Sequence, residues 1–258
     1  MTAPSKKNRS KNSEDKNSNS GTDWFEMTPI GILTSGFKEK FGTPRQPGLI
    51  PMPASIHMLH PFDTPDAFDG IESFSHLWIE FVFHKNTEKG WQPKVRPPRM
   101  GGNEKRGVFA TRSPFRPNGL GLSCVKFERL RKESDGLWLD ITGVDIMEGT
   151  PVLDIKPYLP YADNKPDACS SFASDAPKAR LQIEWQKTAC HQLKQSEADH
   201  PNLKEIIEAT LSLDPRPAYQ EDQNRVYGTR LFEFDVQWKV INRIAIILDI
   251  LPAGQKKP

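Results

Sequence analysis

Arg112 and Arg116 stand four residues apart in the run Gly107-Val108-Phe109-Ala110-Thr111-Arg112-Ser113-Pro114-Phe115-Arg116-Pro117-Asn118-Gly119-Leu120-Gly121-Leu122. Pro114 and Pro117 stiffen the turn that carries them, and Asn118, Gly119 and Gly121 suit unusual backbone angles. Two guanidiniums on a rigid loop can each grip a carboxylate or phosphate through paired hydrogen bonds. Three more segments offer polar groups. Ser35-Gly36-Phe37 combines a hydroxyl, a glycine that permits close backbone approach and a ring able to stack on a base. Ser75-His76 adds a hydroxyl and an imidazole at the start of a strand. Asp145-Ile146-Met147-Glu148-Gly149-Thr150-Pro151 ends in a turn and supplies two carboxylates. Taken singly, each also suits ordinary structure: Ser35-Gly36 as a turn, His76 as a satisfied structural histidine, Asp145 and Glu148 as the brackets of a turn.

Upstream of the arginine run lies a basic stretch with Lys94, Arg96, Arg99, Lys105 and Arg106 against the single carboxylate of Glu104. Such a loop can contact nucleic-acid phosphates in a salt-dependent way, or serve as a solvated connector. The net charge of the whole chain is only +2, so any nucleic-acid affinity must come from a local patch. Cys124, Cys169 and Cys190 are far apart and form no C-x-x-C pair. That pattern predicts reduced thiols in a cytoplasmic protein, buried as small hydrophobes. The six histidines show no ligand spacing, so no metal is expected. No G-x-G-x-x-G follows a strand, which argues against a doubly wound cofactor domain.

The elements that must position these groups are mostly strands. Residues 1–22 carry almost nothing to bury and are expected to form a disordered tail rather than a signal peptide. His76 to His84 alternates with partly apolar faces on both sides, as a central strand does. Ser134-Asp135-Gly136 separates two alternating runs and predicts a hairpin. Leu203, Ile206, Ile207, Thr210 and Leu211 have the spacing of an amphipathic helix. Phe232 to Val240 alternates as a strand, with Ile244 to Leu251 as its partner. The fold class expected is mainly β: a small closed β-barrel over residues 23–165 and a smaller α+β domain over residues 170–252.

Six motifs occur in order. Beside the Arg-Pro-Asn run they are Lys38-Glu39-Lys40-Phe41, Pro44-Arg45-Gln46-Pro47-Gly48, Phe74-Ser75-His76-Leu77-Trp78, Val95-Arg96-Pro97-Pro98-Arg99 and Gly149-Thr150-Pro151-Val152-Leu153-Asp154-Ile155-Lys156-Pro157-Tyr158, with Asp214-Pro215-Arg216-Pro217-Ala218-Tyr219 further on. Together they resemble the TrmO (TsaA-like) family. The resemblance implies a homodimeric barrel enzyme, without metal, that uses S-adenosylmethionine to methylate N6 of threonylcarbamoyladenosine at tRNA position 37. It implies cofactor contacts from Ser35, Gly36, Phe37, Ser75, His76, Arg112, Leu122 and Asp145, Ile146, Met147, Glu148, Gly149, Thr150 and Pro151, with Arg116 and Asn118 in the same loop as Arg112. Two departures from the family pattern stand out: Glu148 where Asp is expected, and Gly119 where Pro is more usual. Asp145 and then Asp154 are the candidate bases, from their place near the cofactor turn. Arg45, Lys94, Arg96, Arg99, Lys105, Arg106 and Arg216 are the candidate RNA contacts. The alternatives are a non-catalytic barrel that binds S-adenosylmethionine or RNA, and a methyltransferase with another acceptor.

Overall fold

The structure is a computed structural model and describes residues 26–100, 104–196, 198–216 and 222–254. The expected tail at 1–22, Gly101 to Asn103 of the basic stretch and Pro217 to Tyr219 of the Asp-Pro-Arg-Pro motif lie outside the described residues.

Six strands close on themselves: β1 (Gly31–Ser35), β2 (Pro53–Met58), β3 (His76–Val82), β6 (Leu120–Glu133), β7 (Gly136–Thr142) and β8 (Thr150–Pro157). Their order around the barrel is β1-β2-β7-β6-β3-β8, and β8 returns to β1. Alternation puts Leu33, Ile56, Leu77, Ile79, Val125, Leu139, Ile141 and Val152 inside, each no more than 1% exposed. Gly121 has a steric role there, since a β-carbon on it would lie 2.3 Å from the ring of Phe81. The Phe81 ring fills the space that any larger residue at 121 would need. Between β3 and β6 the short strands β4 (Lys94–Val95) and β5 (Arg106–Gly107) pair as a separate ribbon.

After a single helical turn, α1 (Pro160–Asp163), the chain builds a second sheet. Its strands are β9 (Gln182–Trp185), β10 (Tyr227–Leu231), β11 (Phe234–Ile241) and β12 (Ile244–Pro252), in the order β10-β11-β12-β9. Helices α2 (Lys187–Ser196) and α3 (Leu203–Ser212) form the crossover that lets β9 run parallel to β12. The expected helix is α3, with Leu203, Ile206, Ile207, Thr210 and Leu211 all buried. Phe232 does not belong to the strand predicted from it. It sits in the two-residue β10–β11 turn with φ +53°, because the chain must reverse between the paired residues Leu231 and Phe234.

The two halves share one apolar core. The β1–β2 loop joins them. Phe37 makes a β-bridge with Leu231, the Phe232 N–H donates to the Gly36 carbonyl at 2.8 Å, and the Phe41 ring stacks on Trp238 at 6.5 Å. The cysteines differ from expectation: Cys169 and Cys190 are exposed and Cys124 is half-buried on the barrel's outer wall. Cys124 alternates with Ser123 and Val125, which take the inward positions. Among the described residues no helix is long and apolar enough to cross a membrane.

Candidate active site

The Ser35–Lys38 segment and the Asp145–Thr150 turn lie against each other at one mouth of the barrel. The Ser35 N–H donates to Glu148 Oε2 at 2.6 Å, and the Ser35 hydroxyl donates to the Ile146 carbonyl at 2.9 Å. Main-chain bonds run from Glu148 N–H to the Phe37 carbonyl (2.9 Å) and from Gly149 N–H to the Leu33 carbonyl (2.8 Å). Lys38 Nζ lies 3.3 Å from Glu148 Oε2. The longer side chain of Glu148 is therefore used to clasp the opposite loop through one main-chain donor and one ammonium. Gly149 has φ +73°, a conformation in which glycine carries no β-carbon penalty. The Thr150 hydroxyl donates to the Met147 carbonyl at 2.7 Å, so its oxygen is left to accept from His84 Nδ1 at 3.2 Å. Burial lowers the His84 pKa, helped by Lys85 and Lys40.

Phe37 is 1% exposed. It is a core residue, not a surface available for stacking on a base, and its main chain bridges Leu231. Gly36 is also a packing glycine. A β-carbon there would meet the Met52 sulfur at 2.6 Å and the Phe232 ring at 2.9 Å, so the space beside it is filled by protein.

Asp145 is the chemically distinctive group. Burial raises its carboxyl pKa from 3.8 to about 6, against the opposing effects of the Ser123 hydroxyl, its own N–H and the Arg112 charge. Ser123 is 1% exposed and donates to Asp145 Oδ1. Arg112 donates to Gln46 Oε1 at 2.6 Å. Hydrogen bonds thus tie Gln46 to Arg112 and Ser123 to Asp145, and the Arg112 charge acts on Asp145 from beyond ion-pair distance, with the four residues drawn from the β1–β2 loop, the arginine loop, the turn before β8 and the inner face of β6. A buried carboxyl whose pKa is raised to about 6, with a guanidinium charge in its field, is suited to taking a proton from a weakly acidic nitrogen.

The two arginines of the opening motif do not converge. Arg116 donates to the carbonyls of Thr111 (2.7 Å) and Val108 (3.3 Å) and packs 5.8 Å from the Phe109 ring centre. It braces its own loop, while Arg112 reaches across to Gln46. Asn118 is exposed beside Gly119, whose φ is +58°. Ser75 and His76 share a hydrogen bond of 2.9 Å at the start of β3. Ser123 of the site pairs with Ile79, three residues or about 10 Å along β3 from His76. His76 belongs to the outer wall with the 53%-exposed Leu122. Asp154 is also on that wall, bound to Lys156, which in turn reaches Glu80 at 2.8 Å. The structure thus separates Asp154 from Asp145.

Of the basic candidates, Lys94, Arg96 and Lys105 are exposed. Arg106 pairs with Glu104 at 2.7 Å, and Arg216 is held by both Asp214 oxygens at 2.7 and 2.9 Å. Ser123, Gln46, Lys38 and His84 are the members of this site that the sequence reading did not name. Gln46 and Lys38 were within reach, since both belong to the quoted motifs. Ser123 is a plain residue of an alternating strand, distinguished only by pointing inward. A cleft of about 550 Å³ runs along the outer face of β1, β2, β7 and β6, bordered by Lys38, Ser55, Arg129, Asp140 and Phe232. It contains neither Asp145 nor Arg112, and its carboxylate Asp140 is committed to Ser55, Arg129 and Arg131.

Comparison with known proteins agrees with this architecture. A family model described as the tRNA-methyltransferase O N-terminal domain matches residues 32–164, and one described as the TrmO C-terminal domain matches residues 178–253. A tRNA (adenine(37)-N6)-methyltransferase of Escherichia coli strain K12 is 45% identical over 219 residues, covering 84% of this chain and 93% of that protein. A protein of the same name from Eikenella corrodens is 47% identical over 175 residues, 68% of this chain and 96% of that one. The crystal structure of TrmO from Pseudomonas aeruginosa superposes with a TM-score of 0.72 at 37% identity, covering 88% of this chain and 99% of that one. Both halves are matched in order, and the chain belongs to the tRNA-methyltransferase O family.

Proposed function

We propose that this protein methylates N6 of threonylcarbamoyladenosine at position 37 of tRNA, with S-adenosylmethionine as donor and Asp145 as base. The observation that carries the chemical part is Asp145 itself: a carboxyl with a pKa of about 6, linked to Ser123 and facing the charge of Arg112. The name of the Escherichia coli relative supports the tRNA adenine, and the motif resemblance supports the threonylcarbamoyl group.

The residues at the barrel mouth fit the donor's chemistry. Arg112 is exposed, and with Gln46 on one nitrogen it has N–H groups left for a carboxylate. The carbonyls of the 145–150 turn suit an ammonium, and Leu122 on the outer wall offers apolar surface. S-adenosylmethionine supplies, when bound, a methyl group on a cationic sulfur. In-line displacement would pass that methyl to the acceptor nitrogen, with the sulfur–methyl bond breaking and its electron pair staying on sulfur. The acceptor is a urea-type nitrogen and a poor nucleophile, so its proton must leave as it is alkylated. Asp145 accepts that proton, and Arg112 stabilises the carboxylate before transfer. The Glu148 clasp and the Arg116 brace hold the two loops in place, which is the positioning such a displacement needs.

Under this reading the protein works as a homodimer in the cytoplasm. The exposed Leu120 and Leu122 on the outer wall suit a subunit contact, and the three unbridged thiols suit a reducing compartment. Arg45, Lys94, Arg96, Arg99, Lys105, Arg106 and Arg216 are its candidate RNA contacts, and Ser75 and His76 its candidate outer-wall cofactor contacts.

The test is transfer of labelled methyl from S-adenosylmethionine to purified tRNA, with tRNA lacking threonylcarbamoylation in parallel. Label confined to the modified tRNA is the expected result. Label in both would move the acceptor to another nucleoside. Cofactor binding with no label in either would leave a methyltransferase of another acceptor, and neither binding nor label would leave a non-catalytic barrel.

A further inference from the structure

Six exposed cations stand in two groups around the β1–β2 loop. Lys40 donates through Nζ to the Lys85 carbonyl at 3.0 Å, and Lys89 closes the same 3-10 turn, His84–Lys89. Arg45 lies within electrostatic reach of Arg99, from the basic stretch, and of Arg180, just before Leu181 and β9. Arg99 donates to the Asp175 carbonyl, which ties the basic stretch to the linker that leads to Arg180, and the Arg180 carbonyl accepts from Arg243 at 3.4 Å. Among the described residues none of the six forms an ion pair. Glu88 in the same turn and Asp175 in the linker are close in sequence, and neither lies within ion-pair distance. Burial is the larger cause and like charges the second in lowering the pKa of Lys40 (through Lys89 and Lys85) and of Arg45 (through Arg180 and Arg99). Guanidiniums and ammoniums gathered on a surface without counter-charges repel one another, and an incoming anion relieves that repulsion.

Both groups adjoin the candidate active site through covalent neighbours. Arg45 precedes Gln46, which accepts from Arg112, the cation whose charge acts on Asp145. Lys85 follows His84, which meets Thr150 of the cofactor turn. Lys40 and Arg45 are five residues apart on one loop, about 17 Å at full extension. Two separate groups of cations suit an anion that carries repeated charge.

We infer that the Lys40–Lys85–Lys89 and Arg45–Arg99–Arg180 groups are two phosphate grips on the RNA backbone, one on each flank of the loop that positions Arg112. The inference rests on the reading that tRNA is the acceptor. The grips fix where the strand crosses the barrel mouth, and the base-reading contacts need not contribute to affinity.

The test compares tRNA binding by the full-length protein with that of the Lys85→Ala/Lys89→Ala and Arg180→Ala variants across about 50 to 200 mM salt. Lys132→Ala, on the β6–β7 hairpin, is the control for loss of any surface cation. The expected result is about tenfold weaker binding in the double variant and about threefold in Arg180→Ala, with the salt slope reduced by about 0.7 to 0.9 for each cation removed. Affinity for S-adenosylmethionine and the melting temperature should be unchanged, and Arg180→Lys should recover most of the loss. Unaltered salt slopes, or a loss no greater than that of Lys132→Ala, would overturn the inference and leave the methyl-transfer reading intact. Salt-dependent tRNA binding that weakens as expected, in a protein that transfers no methyl, would sustain the grips and remove the proposed reaction. No tRNA binding by the unmodified protein would overturn both.

Discussion

Asp145 keeps its proton at a pH where exposed carboxyls have lost theirs, and this sets opposite pH dependences for activity and stability. As a base it must be ionised, so methyl transfer should rise as pH climbs through about 6 and level off above. Arg112 lowers this pKa, so Arg112→Ala should move the rising limb to higher pH as well as weakening cofactor binding. Asp145→Asn should lower kcat by about 10² or more and abolish the limb; full turnover at saturating cofactor would exclude Asp145 as the base. Stability follows the other sign. With a folded pKa raised from 3.8 to about 6, the contribution is fully present below pH 4 and is lost as pH rises through 6. About 3 kcal/mol is at stake, from roughly two pKa units. Urea titrations at pH 5 and pH 8 should show the part of that loss that falls above pH 5, about 1.4 kcal/mol, in the native protein and not in Asp145→Asn. Asp145 and Arg112 were legible in the sequence through motif and charge. Phe37 was not, because a ring that stacks on a ligand and a ring that fills a core are the same letter. Glu148 read only as a departure from the family's Asp, and its clasp on Ser35 N–H joins residues 113 positions apart, a contact no local pattern reveals.

At the scale of elements, alternation was a sufficient guide wherever one face of a strand is buried. β3, β7 and β11 were all visible in this way, and α3 through its helical spacing. The α2 helix was missed because it buries only Ala189 and Leu193 in ten residues, leaving a polar string without a readable stripe. The β11–β12 turn lacked its usual letters: Asn242 and Arg243 adopt φ +49° and +65° where Asn-Gly would be expected. Arg243→Gly should therefore raise stability by about 0.5 to 1 kcal/mol in thermal melts, less any cost of its bond to the Arg180 carbonyl. Inside the barrel, Gly121→Ala should cost about 1 to 3 kcal/mol by crowding Phe81. Phe81→Leu in the same chain should recover part of that cost, and a double-mutant cycle showing strict additivity would refute the packing argument.

For the molecule as a whole, the sequence indicated a barrel followed by an α+β unit but not how tightly the two are joined. The join is made by Phe41 on Trp238, by Gly42 against Thr229 and by the main-chain pair of Gly36 and Phe232, all between distant parts of the chain. Phe41→Ala should cost about 2 kcal/mol, since the ring is only partly buried. Calorimetry should show the native protein melting in one transition and the variant with both halves shifted together. The Gly36–Phe232 contact has a practical consequence for anyone who would divide the protein. Residues 36 to 42 are covalently part of the barrel and structurally part of the second sheet. A fragment ending near residue 164 would bare Phe37 and leave the Gly36 carbonyl without its donor, so the severed half would carry a sticky, ill-shaped rim where its reaction is meant to occur. The downstream domain is the missing wall of the catalytic one, and swapping it between relatives should succeed only when the β10–β11 turn travels with a matching loop.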